Sequence, residues 1–164
     1  MTGPNRTWMT DLDLAVLRES DAPDCPSDAD LRDWASLAIG DAVPCSLVIR
    51  LVDAPESKRL NSDYRGKSGP TNVLSFPSDL PEVVLNELPA RPLGDLVLCA
   101  PLVAEEARSQ GKPPAHHWAH LVVHGVLHLR GHDHETAREA EAMESLEIEL
   151  LARLDIPDPY IERP

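Results

Sequence analysis

DLVLCAPLVAEEARS, residues 95 to 109, holds the change of period that decides the fold. Its first six residues form a short apolar run between Gly94 and Pro101, which reads as a strand. From Pro101 the pattern turns helical over 101 to 109, then over 114 to 130 opening after Pro113, then over 135 to 154. Met143, Leu146, Leu150, Leu151 and Leu154 are the apolar stripe of the last of these. Upstream, TNVLSF at 71 to 76 is a second strand candidate. Cys45, Leu47, Ile49 and Leu51 alternate with Ser46, Val48 and Arg50, which suits a strand with one face well buried. An early strand near 8 to 16 makes four. Two helices fall among them. Ser27 with Asp30 three residues on gives a capping-box start to one carrying Leu31, Trp34, Leu37 and Ala38 and ended by Gly40, and Pro55 opens a shorter one through Leu60 and Tyr64. SDAPDCPS at 20 to 27 and the stretch from Pro77 to Pro92 read as loops. Strands early and helices late imply an α+β fold, a sheet covered by helices in a single domain over 1–164.

A chain of 164 residues buries roughly two thirds of its unfolded surface and needs no staples to fold. Cys25, Cys45 and Cys99 are odd in number and widely spaced, so they are expected to be reduced, buried thiols. The start of the chain carries Asp11 and Asp13 and lacks a basic, then apolar, leader. No apolar stretch approaches the roughly 20 residues of a membrane span, so a cytoplasmic protein that does not engage membranes is expected. The net charge of −13 repels polyanions at long range. The exception is a local cluster, Arg50, Lys58, Arg59, Arg65 and Lys67, where positive side chains predominate.

All seven histidines fall between positions 116 and 134. His124 and His128 are four apart on an expected helix, so both project from one face with Cβ atoms about 5–6 Å apart, within reach of one ion. Gly131 can end that helix in a left-handed conformation and turn the chain so that His134 approaches the same ion. Three neutral imidazoles leave a position for water, the arrangement of catalytic zinc. Asp133 and Glu135 are placed to orient an imidazole through its other nitrogen. The ladder His116, His120, His124, His128 is a competing set, but His120 and His128 lie roughly 12 Å apart along a helix axis, too far to share a tetrahedral ion. Nickel, iron and copper also accept imidazole, so zinc is the first choice and not the sole one. The spacing coincides with the metzincin protease pattern, in which a glutamate follows the first histidine as general base. Here that position is Gly125. A peptide hydrolase would need its base elsewhere.

The run His124-Gly-Val-Leu-His128-Leu-Arg-Gly-His132-Asp133-His134 resembles the signature of the YbeY family of bacterial metal-dependent endoribonucleases. Leu60-Asn61 with Tyr64-Arg65-Gly66-Lys67, then Pro70 to Pro77, then Leu93-Gly94-Asp95, resemble further blocks of that family in the same order, and the likeness is continuous from about Leu47 to Leu150. The resemblance implies a mixed four-stranded sheet and one zinc ion on His124, His128 and His134. It further implies a role in 16S rRNA 3′-end maturation and ribosome quality control. It places Arg65 on the family's functional arginine, whose guanidinium offers paired, permanently charged donors to a phosphate. Single-stranded rRNA is then the substrate. Because so acidic a chain offers few phosphate contacts, recruitment to the small ribosomal subunit through a ribosomal protein or a GTPase is expected. Asp95 and Asp133 are candidate bases only as carboxylates in matching blocks. Two rivals stand beside this reading: an assembly factor whose zinc fixes the fold, and a zinc hydrolase of peptides or small molecules.

Overall fold

The computed structural model describes residues 11–132 and 136–161. Four strands, β1 (Leu12–Arg18), β2 (Cys45–Val52), β3 (Val73–Pro77) and β4 (Arg91–Cys99), form one sheet in the order β1-β2-β4-β3. β1, β2 and β4 run parallel and β3 runs antiparallel to β4, so the sheet is mixed, as the resemblance implied. The described helices are α1 (Asp28–Ile39), α2 (Ala54–Arg65), the single turn α3 (Glu82–Leu85), α4 (Ala100–Ser109), α5 (Pro114–Leu129) and α6 (Ala137–Ala152). The α+β fold expected from the change of period is the fold observed.

β2 follows its alternation: Cys45, Leu47, Ile49 and Leu51 are buried while Ser46, Val48 and Arg50 are half-buried. α1 starts where Ser27 Oγ accepts the Asp30 amide at 3.1 Å and ends at Gly40, whose φ of 59° favours glycine. The early strand is shifted to Leu12–Arg18, and residues 8–10 of the expected span lie outside the described residues. The Pro77–Pro92 stretch is not all loop, since it contains α3 and the start of β4. Pairing explains the longer β4. Cys45 and Ser46 of β2 supply partners to Arg91 and Pro92, residues whose own pattern gives no strand signal.

Two apolar clusters flank the sheet. The larger joins Leu47, Ile49, Leu96 and Leu98 to Leu31, Trp34, Trp118, Val122, Leu127 and Leu151 of the helices, while the smaller packs Val52, Leu74 and Val97 against Leu60 of α2. α5 is central to the first. Its glycine, histidines and valines are indifferent helix formers and no side chain caps its start. Burial of ten of its sixteen residues holds it, each large apolar side chain contributing roughly 1.5–3 kcal/mol. All three cysteines are free thiols; Cys45 and Cys99 are buried as expected, whereas Cys25 is only half-buried.

Candidate active site

Between Leu121 and Leu129 every residue is buried except His124 and His128, which are half-buried on one edge of α5. Their rings lie 6.4 Å apart with an interplanar angle of 18°. The residue between them in the pattern, Gly125, is turned about 100° away around the helix. It backs onto β4, where an added Cβ would overlap the Leu96 side chain. A glutamate at position 125 would therefore be driven into the core, which is the physical reason this helix does not carry the protease base.

The opposing wall comes from the end of α2. Gly66 closes that helix in the left-handed conformation, φ 65°, and the chain returns through residues 66–72 to β3. That return is pinned: Asn61 Nδ2 donates to Gly69 O at 3.0 Å, Ser57 Oγ donates to Thr71 O at 2.8 Å and accepts the Thr71 amide at 3.0 Å, and the Cys99 amide donates to Asn72 O at 2.9 Å. The result is a cleft of about 430 Å³ lined by Tyr64, Arg65, Asn72, Ser75, His124 and His128, among others. Tyr64 is 67% exposed and stands edge-on against Phe76, ring centroids 5.2 Å apart. Among the described residues no carboxylate pairs with Arg65. Arg50, in contrast, is held by Glu19 and Glu56, and Arg59 by Glu56 and Asp63. The guanidiniums of Arg59 and Arg50 hold Glu56 down to about 2. The five-residue basic cluster of the sequence is thus two neutralised arginines beside exposed Lys58, Arg65 and Lys67.

Each cleft histidine commits its Nδ1. His128 Nδ1 lies 3.0 Å from the His132 carbonyl, which can only accept, so Nδ1 carries the proton. His124 Nδ1 lies 3.3 Å from Oε2 of Glu147, a carboxylate with no exposure on α6. Burial acts to raise the pKa of Glu147, but hydrogen bonds from His120, His124 and Tyr160 outweigh it and hold the group at about 2. Both cleft imidazoles are thereby left with Nε2 as the nitrogen able to bind a metal, and a pair of such nitrogens four residues apart suits zinc. Gly131 has a φ of 99° and its amide donates to His128 O at 3.0 Å, so the expected turn is present. His134, the third expected ligand, lies with Asp133 and Glu135 outside the described residues. Among the described residues no three His, Cys, Asp or Glu side chains are grouped to hold an ion.

Asp95 is not brought to this cleft. It is exposed and lines a neighbouring depression of about 360 Å³ with Pro77, Ser78 and Asp79, which neither histidine reaches. Sequence reasoning missed Glu147, although a signal was available: it sits four residues from both Met143 and Leu151, on the apolar stripe itself. It also passed over Tyr64 and Asn72 as members of the cleft, and Tyr160, for which no local pattern pointed to burial of the hydroxyl.

Fold and cleft together define a class: an α+β protein whose central helix delivers an i, i+4 histidine pair to a polar cleft facing an arginine. The family model described as Endoribonuclease YbeY matches residues 30–155. Proteins named Endoribonuclease YbeY from Alkalilimnicola ehrlichii and Methylococcus capsulatus are 59% and 52% identical to this chain. The first match covers 82% of this chain and 82% of the relative, the second 92% and 97%. The solution structure of TM1509 from Thermotoga maritima is similar with a TM-score of 0.51 at 26% identity, covering 90% of this chain and 99% of that one. The chain belongs to the YbeY endoribonuclease family, whose name describes hydrolases that cut RNA internally. Among the described residues no helix is long and apolar enough to cross a membrane.

Proposed function

We propose that this protein is a cytoplasmic, zinc-dependent endoribonuclease that cuts single-stranded rRNA in 16S 3′-end maturation and ribosome quality control. In this reading His124, His128 and His134 hold one zinc ion and Arg65 grips the scissile phosphate. The observation that carries it is the convergence of His124, His128 and Arg65, from α5 and α2, on one polar cleft within a chain of this family. When bound, the ion supplies a Lewis acid for a phosphoryl oxygen or an activated water. The chain's own residues do the rest. Arg65, with no carboxylate competitor among the described residues, offers paired donors to two phosphate oxygens and offsets charge as it develops. Tyr64, braced by Phe76, presents a ring face of the kind on which an unstacked base rests, which favours single strands over duplex. With Arg50 and Arg59 neutralised, few cations remain to grip a long RNA, which supports delivery by the small ribosomal subunit through a ribosomal protein or a GTPase.

The test is cleavage of a short single-stranded RNA carrying a 16S 3′-end sequence, with metal content quantified. The wild type should cut. Arg65→Ala should keep its metal and lose on the order of 100-fold or more in rate, as removal of one transition-state donor does. His128→Ala should lose metal and cutting together. Cutting that survives both changes, or that is absent from fully metallated wild type, would refute the proposal.

A further inference from the structure

Among the described residues Glu147 is a carboxylate with no exposure, and it lies on α6, a helix none of whose side chains lines the cleft. Its two oxygens are both used. Oε1 is 2.7 Å from His120 Nε2 and accepts the Tyr160 hydroxyl at 2.8 Å, while Oε2 faces His124 Nδ1 at 3.3 Å. An ionised carboxylate accepts and never donates, so all three partners must present hydrogens to it. The His120 ring agrees: its Nδ1 is buried with no hydrogen-bond partner among the described residues, which places the ring proton on Nε2, toward Glu147. The Tyr160 hydroxyl also lies 3.2 Å from His120 Nε2, so the C-terminal segment closes the network from outside. The two cleft histidines are therefore oriented by unlike means. His128 is held by a backbone carbonyl of its own turn, His124 by a full negative charge brought from another helix.

We propose that Glu147 is a positioning residue for the metal site, fixing the tautomer and ring orientation of His124, with His120 and Tyr160 as the clasp that fixes Glu147. The inference rests on the reading of His124 as a metal ligand. A carboxylate behind a ligating imidazole raises its basicity and holds its ring in place, and loss of such a partner weakens metal affinity about 10–100-fold. A merely structural Glu147 would alter stability and leave affinity untouched. Glu106 supplies the control, because it makes a comparable carboxylate contact with His117 on the same helix, remote from His124.

The experiment strips the full-length protein with a chelator, titrates zinc against a chromophoric competitor, and records the visible spectrum of the cobalt(II) form. Wild type should bind one zinc. Glu147→Gln, which keeps the size and loses the charge, should bind about 10–100-fold more weakly and shift the cobalt bands. Tyr160→Phe, at a residue 42% exposed and so able to fold, should weaken binding about threefold by loosening Glu147. Glu106→Gln should bind as wild type does. If Glu147→Gln does not fold, the decision passes to Tyr160→Phe. Wild-type affinity in both Glu147→Gln and Tyr160→Phe, or an equal loss in Glu106→Gln, overturns the proposal. A wild type that takes up no zinc overturns the zinc reading, and the positioning role with it.

Discussion

Helix α5 carries two carboxylate–histidine networks, one on Glu106 and one on Glu147, that differ in what they hold. Near its start, His117 Nε2 lies 2.9 Å from Glu106 Oε1 of α4, and the same oxygen accepts Asn72 Nδ2 at 3.0 Å. One turn later His120 meets Glu147 of α6 at 2.7 Å. The Glu106 side chain is 28% exposed, and its network ties α4 to α5 and to the entry of β3. The Glu147 side chain is 1% exposed, and its network ends on a cleft histidine. Water can replace part of what Glu106 supplies, whereas nothing replaces Glu147. The same residue pair thus serves as a clamp in one place and, by our inference, as a ligand support in the other. The difference lies in burial and in where the second oxygen points.

The contrast predicts unequal costs of truncation. Glu147→Ala strips acceptors from two imidazoles and a hydroxyl in a dry site, and should destabilise by about 3–5 kcal/mol in urea unfolding of the metal-free protein. A loss as small as that of an exposed residue would mean that Glu147 is not sealed in solution. Beyond both networks along α5 lies Gly125, on the face that seats the helix against the sheet. Gly125→Ala gains about 1 kcal/mol of helix propensity but must displace buried Leu96, so a net destabilisation of about 1–2 kcal/mol is expected. A stabilised Gly125→Ala would show that α5 is loosely seated and that neither network is as fixed as the distances imply. Asn72→Ala removes one bond to a partly hydrated carboxylate and should cost about 1 kcal/mol by the same measurement.

These networks mark where the sequence was legible and where it was not. The period change at Pro101, the β2 alternation and the Ser27 cap are local signals, and each element they predict is present, because local pattern and tertiary burial demand the same conformation there. The His124–His128 pair and the Gly131 turn were legible for the same reason, as was the Arg65 block through its likeness to a family. β4 was read four residues short because Arg91 and Pro92 are extended by pairing with β2, a long-range cause. Glu147 and Tyr160 were missed because they reach His120 from 27 and 40 residues away, beyond any helical spacing. The basic cluster misled for a related reason. Counting charges over 50 to 67 cannot see that Glu19, 31 residues from Arg50, neutralises it.

A pH dependence tests whether the Glu106 network is neutral at its histidine. Burial lowers the pKa of His117 and outweighs the opposite pull of Glu106, while Lys112 and His120 also act to lower it. His117 Nδ1 is buried with no hydrogen-bond partner among the described residues, as a neutral ring donating through Nε2 requires. With the folded pKa below the unfolded value of about 6.5, the unfolded chain binds the proton first as pH falls. The stabilisation from the neutral ring is therefore complete above about pH 6.5 and is lost as pH drops through the folded value. Glu56, at about 2, does not titrate in that window. Urea midpoints of metal-free wild type and His117→Gln, compared from about pH 7.5 to about 5.5, should diverge, the wild type losing up to about 1.4 kcal/mol per pH unit more. The metal-free form is essential, since protons competing for ligand histidines would add their own slope. Parallel losses would mean that His117 is charged in the fold. Glu106 would then be an ion-pair partner, and the distinction between clamp and ligand support would rest on burial and metal affinity alone.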